Sequence, residues 1–169
     1  MAQAKPKKRS WSRSVRKTRI EEARAIQKLI EPFARQGEML PRSLGDIYEF
    51  IRDYMVISEP GTENIIGTCA LHVSWENIAE IRSLAVRQDY SHQGIGSTLV
   101  KASLREAKRL GCYRVFSLTF KPGFFLRMGF QPIDKRDLPQ KVWTECIRCP
   151  QFPDCNEEAV VYDIPKEEK

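Results

Sequence analysis

The chain contains no long apolar run. None of its hydrophobic stretches approaches the roughly 18 residues that a helix needs to cross a bilayer. The first residues, Met1 to Pro6, also carry no apolar stretch of the kind that forms a secretory signal. These absences argue against a membrane protein and predict a cytoplasmic location.

Histidine is scarce, and no complete set of metal ligands is evident. We expect His72 to be a packed sheet residue, and His92 is not a catalytic candidate. Cys146, Cys149 and Cys155 have the spacing Cys-x2-Cys-x5-Cys, which suits zinc only with a fourth ligand that the neighbouring sequence does not supply. We therefore predict no metal and favour a structured loop with free or redox-sensitive thiols, while a zinc role stays open.

Acidic residues are missing from the first part of the chain. Seven lysines and arginines precede Thr18 without one Asp or Glu, and they contribute +7 to the formal net charge of +6. The rest of the chain therefore carries a net charge of −1. A near-neutral body with a basic tail predicts a disordered arm over residues 1–13 rather than a nucleic-acid surface. The remaining length suits one domain over 14–169, with a cysteine-rich loop near 146–155.

Apolar periodicity predicts alternating helices and strands. Thr18–Glu21 has the pattern of a capping box that opens a helix ending near Gly37, with Ile20 on its apolar face. Ser43 is the expected cap of a second helix, whose apolar face extends to Tyr54. A third helix is expected over 94–110 and a short one over 123–128, with strands over 14–17, 55–59, 65–75, 79–86, 114–120, 130–133 and 159–164.

The most informative segment is an apolar strand, Ile81–Val86, followed by a glycine turn and an amphipathic helix. The turn is Ser91-His92-Gln93-Gly94-Ile95-Gly96. Glycines allow a tight turn and a close approach of the backbone to a ligand, and a helix N-terminus offers unpaired N–H groups to an anion. The turn lacks the third glycine of a dinucleotide fingerprint, and no Gly-Lys-Ser/Thr follows it. A pyrophosphate site is therefore predicted.

This turn resembles the acyl-CoA site of the GNAT N-acetyltransferases, whose pattern is Arg/Gln-x-x-Gly-x-Gly/Ala, with Ser91 where the family usually has Arg. The resemblance implies an α/β fold with a mixed central sheet flanked by helices on both faces. It also implies acetyl-CoA as the acetyl donor, with no metal required. The residues expected to bind it are Leu84, Ala85, Val86, Ser91, His92, Gln93, Gly94, Ile95, Gly96, Ser97 and Phe125.

A second segment, Phe124–Phe130, resembles the family's Phe-Tyr-x-x-x-Gly-Phe element that lines the coenzyme A channel. Phe125 stands where many members have the Tyr that protonates the departing thiolate. Phe125 cannot donate a proton, so solvent or another group supplies it, or the thiolate leaves unprotonated, because a free thiol has a pKa of only about 8.5. We interpret Phe125 as both core residue and channel wall.

Three further segments resemble the acetyltransferase domain of short bacterial N-acetylglutamate synthases: Glu80–Val86, Leu118–Phe120 and Asp134–Pro139. The implied reaction is transfer of acetyl from acetyl-CoA to the α-amino group of glutamate, the first step of arginine biosynthesis. Glutamate is thus the expected small-molecule partner, and a homodimer stays open. The alternatives are a GNAT enzyme acting on another amino acid or a protein amine, and a non-catalytic acetyl-CoA sensor.

A dicarboxylic acceptor requires cationic side chains on the acceptor side of the acetyl group. Arg82, in mid-strand, is the first candidate, and Arg42, between the two early helices, and Lys121, after a buried strand, follow it. Glu80 matches the strand glutamate that acts as the base in part of the superfamily. The alternative for Glu80 is a plain ion pair with Arg82. Backbone N–H groups between Leu84 and Val86 are expected to polarise the thioester carbonyl.

Overall fold

The computed structural model describes residues 14–139, 143, 146–149 and 151–166. The predicted arm over residues 1–13 lies outside the described residues. The strands are β1 (Arg16–Lys17), β2 (Tyr54–Ser58), β3 (Ile65–Trp75), β4 (Ile78–Val86), β5 (Arg114–Thr119), β6 (Gln131–Ile133) and β7 (Glu158–Asp163). The helices are α1 (Ala23–Arg35), α2 (Leu44–Glu49), α3 (Ile95–Leu110) and α4 (Pro122–Leu126).

Within the described residues, the seven strands form one sheet in the order β1-β2-β3-β4-β5-β7-β6. β4 and β5 run parallel to each other, and the other neighbouring pairs are antiparallel. This mixed sheet confirms the predicted α/β architecture. No helix in the described part of the chain has the length and apolar character needed to cross a membrane.

Alternate residues of the strands serve two cores, one on each face of the sheet. Met55 and Ile57 pack under α3 and α4, while Tyr54 and Val56 pack under α1 and α2. On the α1 side, a third cluster around Phe116 covers β4, β5 and β7 and includes Cys146 at its margin. Helices therefore cover both faces, as predicted.

The start of α1 differs from the prediction. The 3-10 turn that leads into α1 is capped at Arg19 rather than Thr18, and the Glu22 carboxylate accepts the Arg19 backbone N–H at 2.8 Å. A single 3-10 turn, Ile20–Glu22, precedes the α-helix. The side chains of this turn point in directions different from those that a continuous α-helix would give them. Ile20 is consequently 65% exposed instead of lying on the apolar face.

The second helix begins as predicted and ends earlier. The Ser43 hydroxyl accepts the Asp46 backbone N–H at 3.0 Å, and the Asp46 carboxylate accepts the Ser43 backbone N–H in return. The expectation that the helix face extends to Tyr54 is wrong: α2 ends at Glu49, and Tyr54 pairs with Ala70 as the first residue of β2. Strand pairing determines the conformation of Tyr54, and the apolar period alone does not reveal it.

Candidate active site

The site lies where β4 and β5 separate. Their parallel pairing covers Ile78 to Glu80 and stops there, in register with Arg114 to Phe116. The Ser117 hydroxyl donates to the Ile81 carbonyl at 2.8 Å and spans the start of the gap. A cavity of about 1250 Å³ opens beyond it, lined by residues from both faces of the sheet.

A bulge in β4 shapes the edge that faces this cavity. Cys69 lies opposite two residues, Ser83 and Leu84, because the register shifts between Thr68 and Ala70. Ser83 adopts a positive φ of 54°, which a non-glycine residue takes only where the surroundings impose it. The bulge bends β4 away from β5, and the stretch from Ser83 to Val86 lines the cavity without a strand on its β5 side.

The predicted glycine loop forms one end of the cavity. Gly94 has φ +87° and is the N-cap of α3, and its lack of a side chain permits that conformation. No side chain caps this helix in the described structure, so the N–H groups of its first turn remain for a ligand. Six of the seven predicted loop residues line the cavity: Ser91, His92, Gly94, Ile95, Gly96 and Ser97.

Gln93 is the exception among the predicted donor-side residues. It does not line the cavity, and its side-chain amide donates instead to the Asp89 carbonyl at 3.4 Å. His92 before it has φ +60°, so the backbone reverses at this point and carries Gln93 outward.

The aromatic segment forms the adjoining wall. Phe125 is buried in the core and also lines the cavity, in agreement with its predicted double role. Its ring stands edge to face against Phe124 at 5.2 Å and Phe130 at 5.1 Å. A side chain held on two sides in this way gives the cavity a rigid apolar wall.

Glu80 and Arg82 project together from β4 on the face covered by α1 and α2. Their side chains are 13% and 8% exposed, and a carboxylate oxygen of Glu80 lies 3.7 Å from a guanidinium nitrogen of Arg82. The Arg82 guanidinium stands 5.2 Å above the Phe50 ring. The Phe50 ring meets His72 edge to face at 5.1 Å, and His72 in turn contacts the Asp53 carboxylate at 2.7 Å. Sequence reasoning missed Phe50 because it treated the residue only as part of a helix face.

The other two predicted cations also line the cavity, in different electrostatic states. The Lys121 ammonium pairs with the Glu38 carboxylate at 2.7 Å. Arg42 makes no ion pair with any described carboxylate. The same holds for Arg148, which lines the cavity and which sequence reasoning missed. The available signal is its place between Cys146 and Cys149, in the loop for which the sequence predicts free or redox-sensitive thiols.

The cysteine-rich segment, residues 143–157 as far as described, closes the acceptor-side wall. Its thiols at Cys146, Cys149 and Cys155 line the cavity, as does Glu157. Burial raises the pKa of the Glu157 carboxyl, so it holds a proton more readily than a free glutamate. Among the described residues, no group of three or more His, Cys, Asp or Glu side chains is placed to hold a metal ion.

The structure thus gathers around one cavity the predicted base, the three predicted cations and the donor-side residues apart from Gln93. These residues come from parts of the chain that are far apart in sequence, as the positions of Arg42 and Lys121 show. Their assembly at the gap between two parallel strands creates a site with the uncapped N-terminus of α3 at one end and cationic side chains at the other.

Comparison with known sequences agrees with this architecture. The profile of the acetyltransferase (GNAT) family matches residues 20–130. An uncharacterized N-acetyltransferase of Chlorobaculum tepidum is 42% identical over 87% of this chain and 94% of its own length. An amino-acid acetyltransferase of Mycobacterium tuberculosis is 34% identical over 79% of this chain and 77% of its own.

Solved structures are also similar. A Mycobacterium tuberculosis protein in complex with CoA and NLQ has a TM-score of 0.78 and 29% identity, covering 90% of this chain and 99% of that one. N-acetylglutamate synthase from Neisseria gonorrhoeae, complexed with coenzyme A and N-acetyl-glutamate, has a TM-score of 0.82 at 24% identity, which shows the shared fold. This chain matches 35% of the length of that larger protein.

Proposed function

This chain belongs to the acetyltransferase (GNAT) family, and from that membership we propose that it transfers the acetyl group of acetyl-CoA to the α-amino group of glutamate. The amine nitrogen attacks the thioester carbonyl, the C–S bond breaks, and N-acetylglutamate and coenzyme A leave. The product would enter arginine biosynthesis. The observation that carries the choice of glutamate is the pair of arginines, Arg42 and Arg148, that line one cavity and form no ion pair with a described carboxylate.

The donor end suits a pyrophosphate. The uncapped first turn of α3 offers N–H groups and the positive end of a helix dipole, and Gly94 brings the backbone close to the ligand. Ser91, in the place of the usual Arg, contributes no charge, so backbone donors carry the interaction. Relatives of similar structure bind CoA, which supports acetyl-CoA as the donor here.

The acceptor end suits a dicarboxylic amino acid. A guanidinium binds a carboxylate through two parallel hydrogen bonds. Neither Arg42 nor Arg148 forms an ion pair with a described carboxylate, although the charge of Arg42 acts on Asp46 and Glu157 nearby. Lys121 is already paired with Glu38, and Arg82 with Glu80, which makes them weaker ligands. Glutamate supplies two carboxylates, one for each available arginine. Glutamine supplies one and would leave a guanidinium without a partner.

Glu80 is the proposed base. The acceptor is an ammonium ion at neutral pH and must lose a proton before its nitrogen attacks. The Glu80 carboxylate lies on the cavity wall, with one oxygen 3.7 Å from a guanidinium nitrogen of Arg82. Backbone N–H groups of β4 between Leu84 and Val86 are the proposed donors to the oxyanion that forms on the thioester carbonyl.

The departing thiolate receives no proton from Phe125. The buried phenyl ring forms an apolar wall at this point. A thiolate is a sufficiently good leaving group to depart unprotonated and to be protonated in solvent.

The test is thiol release from acetyl-CoA with glutamate, glutamine and the other amino acids in turn. We expect turnover with glutamate, and a rise of about 10- to 100-fold in its KM for Arg42→Gln and for Arg148→Gln, as expected for loss of one charged hydrogen-bonding group. Arg136→Gln is the control, because Arg136 is exposed, pairs with Asp134 and lies outside the cavity.

Other outcomes would select the alternatives. Equal turnover of glutamine, with no effect of either arginine, would contradict the dicarboxylate assignment and favour another amino acid. Turnover confined to peptides with a free amine would favour a protein acceptor. Acetyl-CoA binding without turnover of any amine would favour a sensor.

A further inference from the structure

The cysteine-rich segment contains a turn that the proposed reaction leaves unused. Cys146-Ile147-Arg148-Cys149 forms a single turn in which the Cys149 backbone N–H donates to the Cys146 carbonyl at 2.9 Å. Both cysteines and the arginine between them line the acceptor side of the cavity. The residue whose guanidinium is assigned to the substrate therefore lies between two cysteines of one turn.

The geometry of this turn is compatible with a disulfide. A four-residue turn closed by a hydrogen bond between its first and fourth residues brings the Cα atoms of those two residues within about 7 Å. Disulfides join Cα atoms about 4.4–6.8 Å apart. The Cys146 and Cys149 backbones are thus close enough to be bridged by movement of the side chains and of the turn itself.

We propose that Cys146 and Cys149 form a redox-active dithiol, a covalent modification site for small disulfides, and that closing it weakens acceptor binding through Arg148. The effect on the acceptor rests on the proposed function, whereas formation of the disulfide does not.

The five cysteines differ in their access to a reagent. Cys69 and Cys112 are buried, and burial raises the pKa of the Cys69 thiol to about 12, so neither is reactive. Cys146, Cys149 and Cys155 are half-buried at the cavity. Burial, together with Glu80 nearby, raises the pKa of the Cys146 thiol. Because the Cys146 side chain also packs against the cluster around Phe116, we assign Cys149 as the attacking thiol and Cys146 as the resolving one.

The reaction is two successive thiol–disulfide exchanges. The Cys149 thiolate attacks one sulfur of a small disulfide, forms a mixed disulfide and releases one small thiolate. The Cys146 thiolate then attacks the Sγ of Cys149 and releases the second. The protein loses two protons and two electrons, and the small disulfide gains them and becomes two thiols.

Closing the bond must disturb Arg148. The bond requires the two sulfurs to approach to about 2.05 Å with a defined dihedral angle. The Cys146 side chain packs in the cluster around Ile78 and Phe116, so either it leaves that cluster or the turn moves toward it. Because Arg148 lies within the four-residue turn, each movement shifts its backbone. We expect a several-fold rise in the KM for the acceptor, with little change in the KM for acetyl-CoA.

The experiment treats the full-length protein with oxidised glutathione and maps its peptides by mass spectrometry without reduction. We expect a peptide that has lost two hydrogens and carries a Cys146–Cys149 link, and dithiothreitol should reverse both the link and the change in acceptor KM. Cys146→Ser and Cys149→Ser should each abolish the link and leave glutathione attached to the remaining thiol at most. Cys155→Ser, the matched control from the same segment, should retain the link.

Three results would overturn the proposal. If Cys155→Ser lacked the Cys146–Cys149 link, or if the wild type joined a different pair of cysteines, the redox-active pair would not be Cys146 and Cys149. Thiols that resist glutathione until a chelator removes stoichiometric zinc would show a metal site instead. A link that forms without changing the acceptor KM would remove the role of Arg148. Failure of the proposed function is distinguishable, because the link would then form in a protein that does not turn over glutamate.

Discussion

The two ends of the cavity are built in different ways. The proposed donor end is built mainly from one continuous segment, from β4 through the glycine loop to α3, and the groups proposed to bind its ligand are backbone N–H groups. The acceptor end is assembled from side chains of the α1–α2 connection, β4 and the cysteine-rich segment, with Arg42 and Arg148 more than a hundred positions apart in the chain. Binding through backbone N–H groups depends on the conformation of the chain, whereas binding through side chains depends on which residue stands at each position.

This difference has a consequence for substitution. At the donor end most side chains can change as long as the loop keeps its shape, which explains how Ser91 can replace an arginine there. At the acceptor end a single side chain determines which substrate charge is matched. Changes of acceptor are therefore expected to require few substitutions, all on the α1 side of the sheet.

The largest effect is expected where the two ends meet. Glu80→Gln removes the proposed base with little change in volume, and we expect kcat to fall by about 10²-fold or more. Steady-state thiol release measures it, and Glu76→Gln, in the exposed turn before β4, is the control. If Glu157→Gln gives the larger loss instead, the base is Glu157, and Glu80 is only the ion-pair partner of Arg82.

A substitution that changes only backbone conformation should affect the donor end alone. Gly94→Val places a branched side chain at φ +87°, and we expect a rise of about tenfold or more in the KM for acetyl-CoA with the acceptor KM unchanged. Gly111→Val is a matched control, because Gly111 has φ +82° at the opposite end of the same helix. It should lower the melting temperature comparably without raising the KM. Equal effects of both variants on KM would contradict a backbone-built donor site.

A smaller effect is expected from Phe50, which supports the acceptor end without an assigned contact to substrate. Phe50→Leu removes the ring beneath the Arg82 guanidinium, an interaction of about 0.5–2 kcal/mol, and should raise the acceptor KM several-fold. Phe50→Trp, which retains an aromatic face, should restore most of the affinity. A loss in both variants, accompanied by a lower melting temperature, would indicate a purely structural role.

The smallest effect on activity is expected far from the cavity, at the base of α1. The buried Glu22 carboxylate accepts from Arg16 at 2.9 Å, and this hydrogen bond holds its pKa at about 2, well below its usual value of 4.5. The depressed pKa contributes about 3 kcal/mol to the free energy of unfolding above pH 4.5, and this contribution is lost as the pH falls through about 2.

Glu22→Gln should therefore be destabilised at pH 7 and should approach the wild type in stability near pH 2. Denaturant unfolding at several pH values measures this difference. Glu31→Gln, which removes the exposed pair with Arg35, is the control and should change stability by no more than about 0.5 kcal/mol. A pH-independent gap between Glu22→Gln and the wild type would contradict the ionisation argument.

The same contrast explains which features could be predicted from the sequence. The glycine loop and α3 are local, and their φ angles follow from residue types, so Gly94 and Gly111 were identifiable as the limits of the helix. Arg148 could not be assigned, because only the packing of the cysteine-rich segment brings it to the cavity. The roles of Phe50 and Glu157 depend in the same way on contacts across the sheet. The predicted cap at Thr18 was wrong because a 3-10 turn precedes the α-helix, and the spacing of apolar residues does not reveal this turn.

The separation of β4 and β5 lets the cavity pass through the sheet from the α3 side to the α1 side. The thioester and the amine can therefore approach from opposite faces, and neither needs to leave before the other enters. This arrangement is compatible with direct transfer within a ternary complex, in which no acetylated enzyme forms as an intermediate. The kinetic signature would be intersecting rather than parallel lines in double-reciprocal plots with both substrates varied.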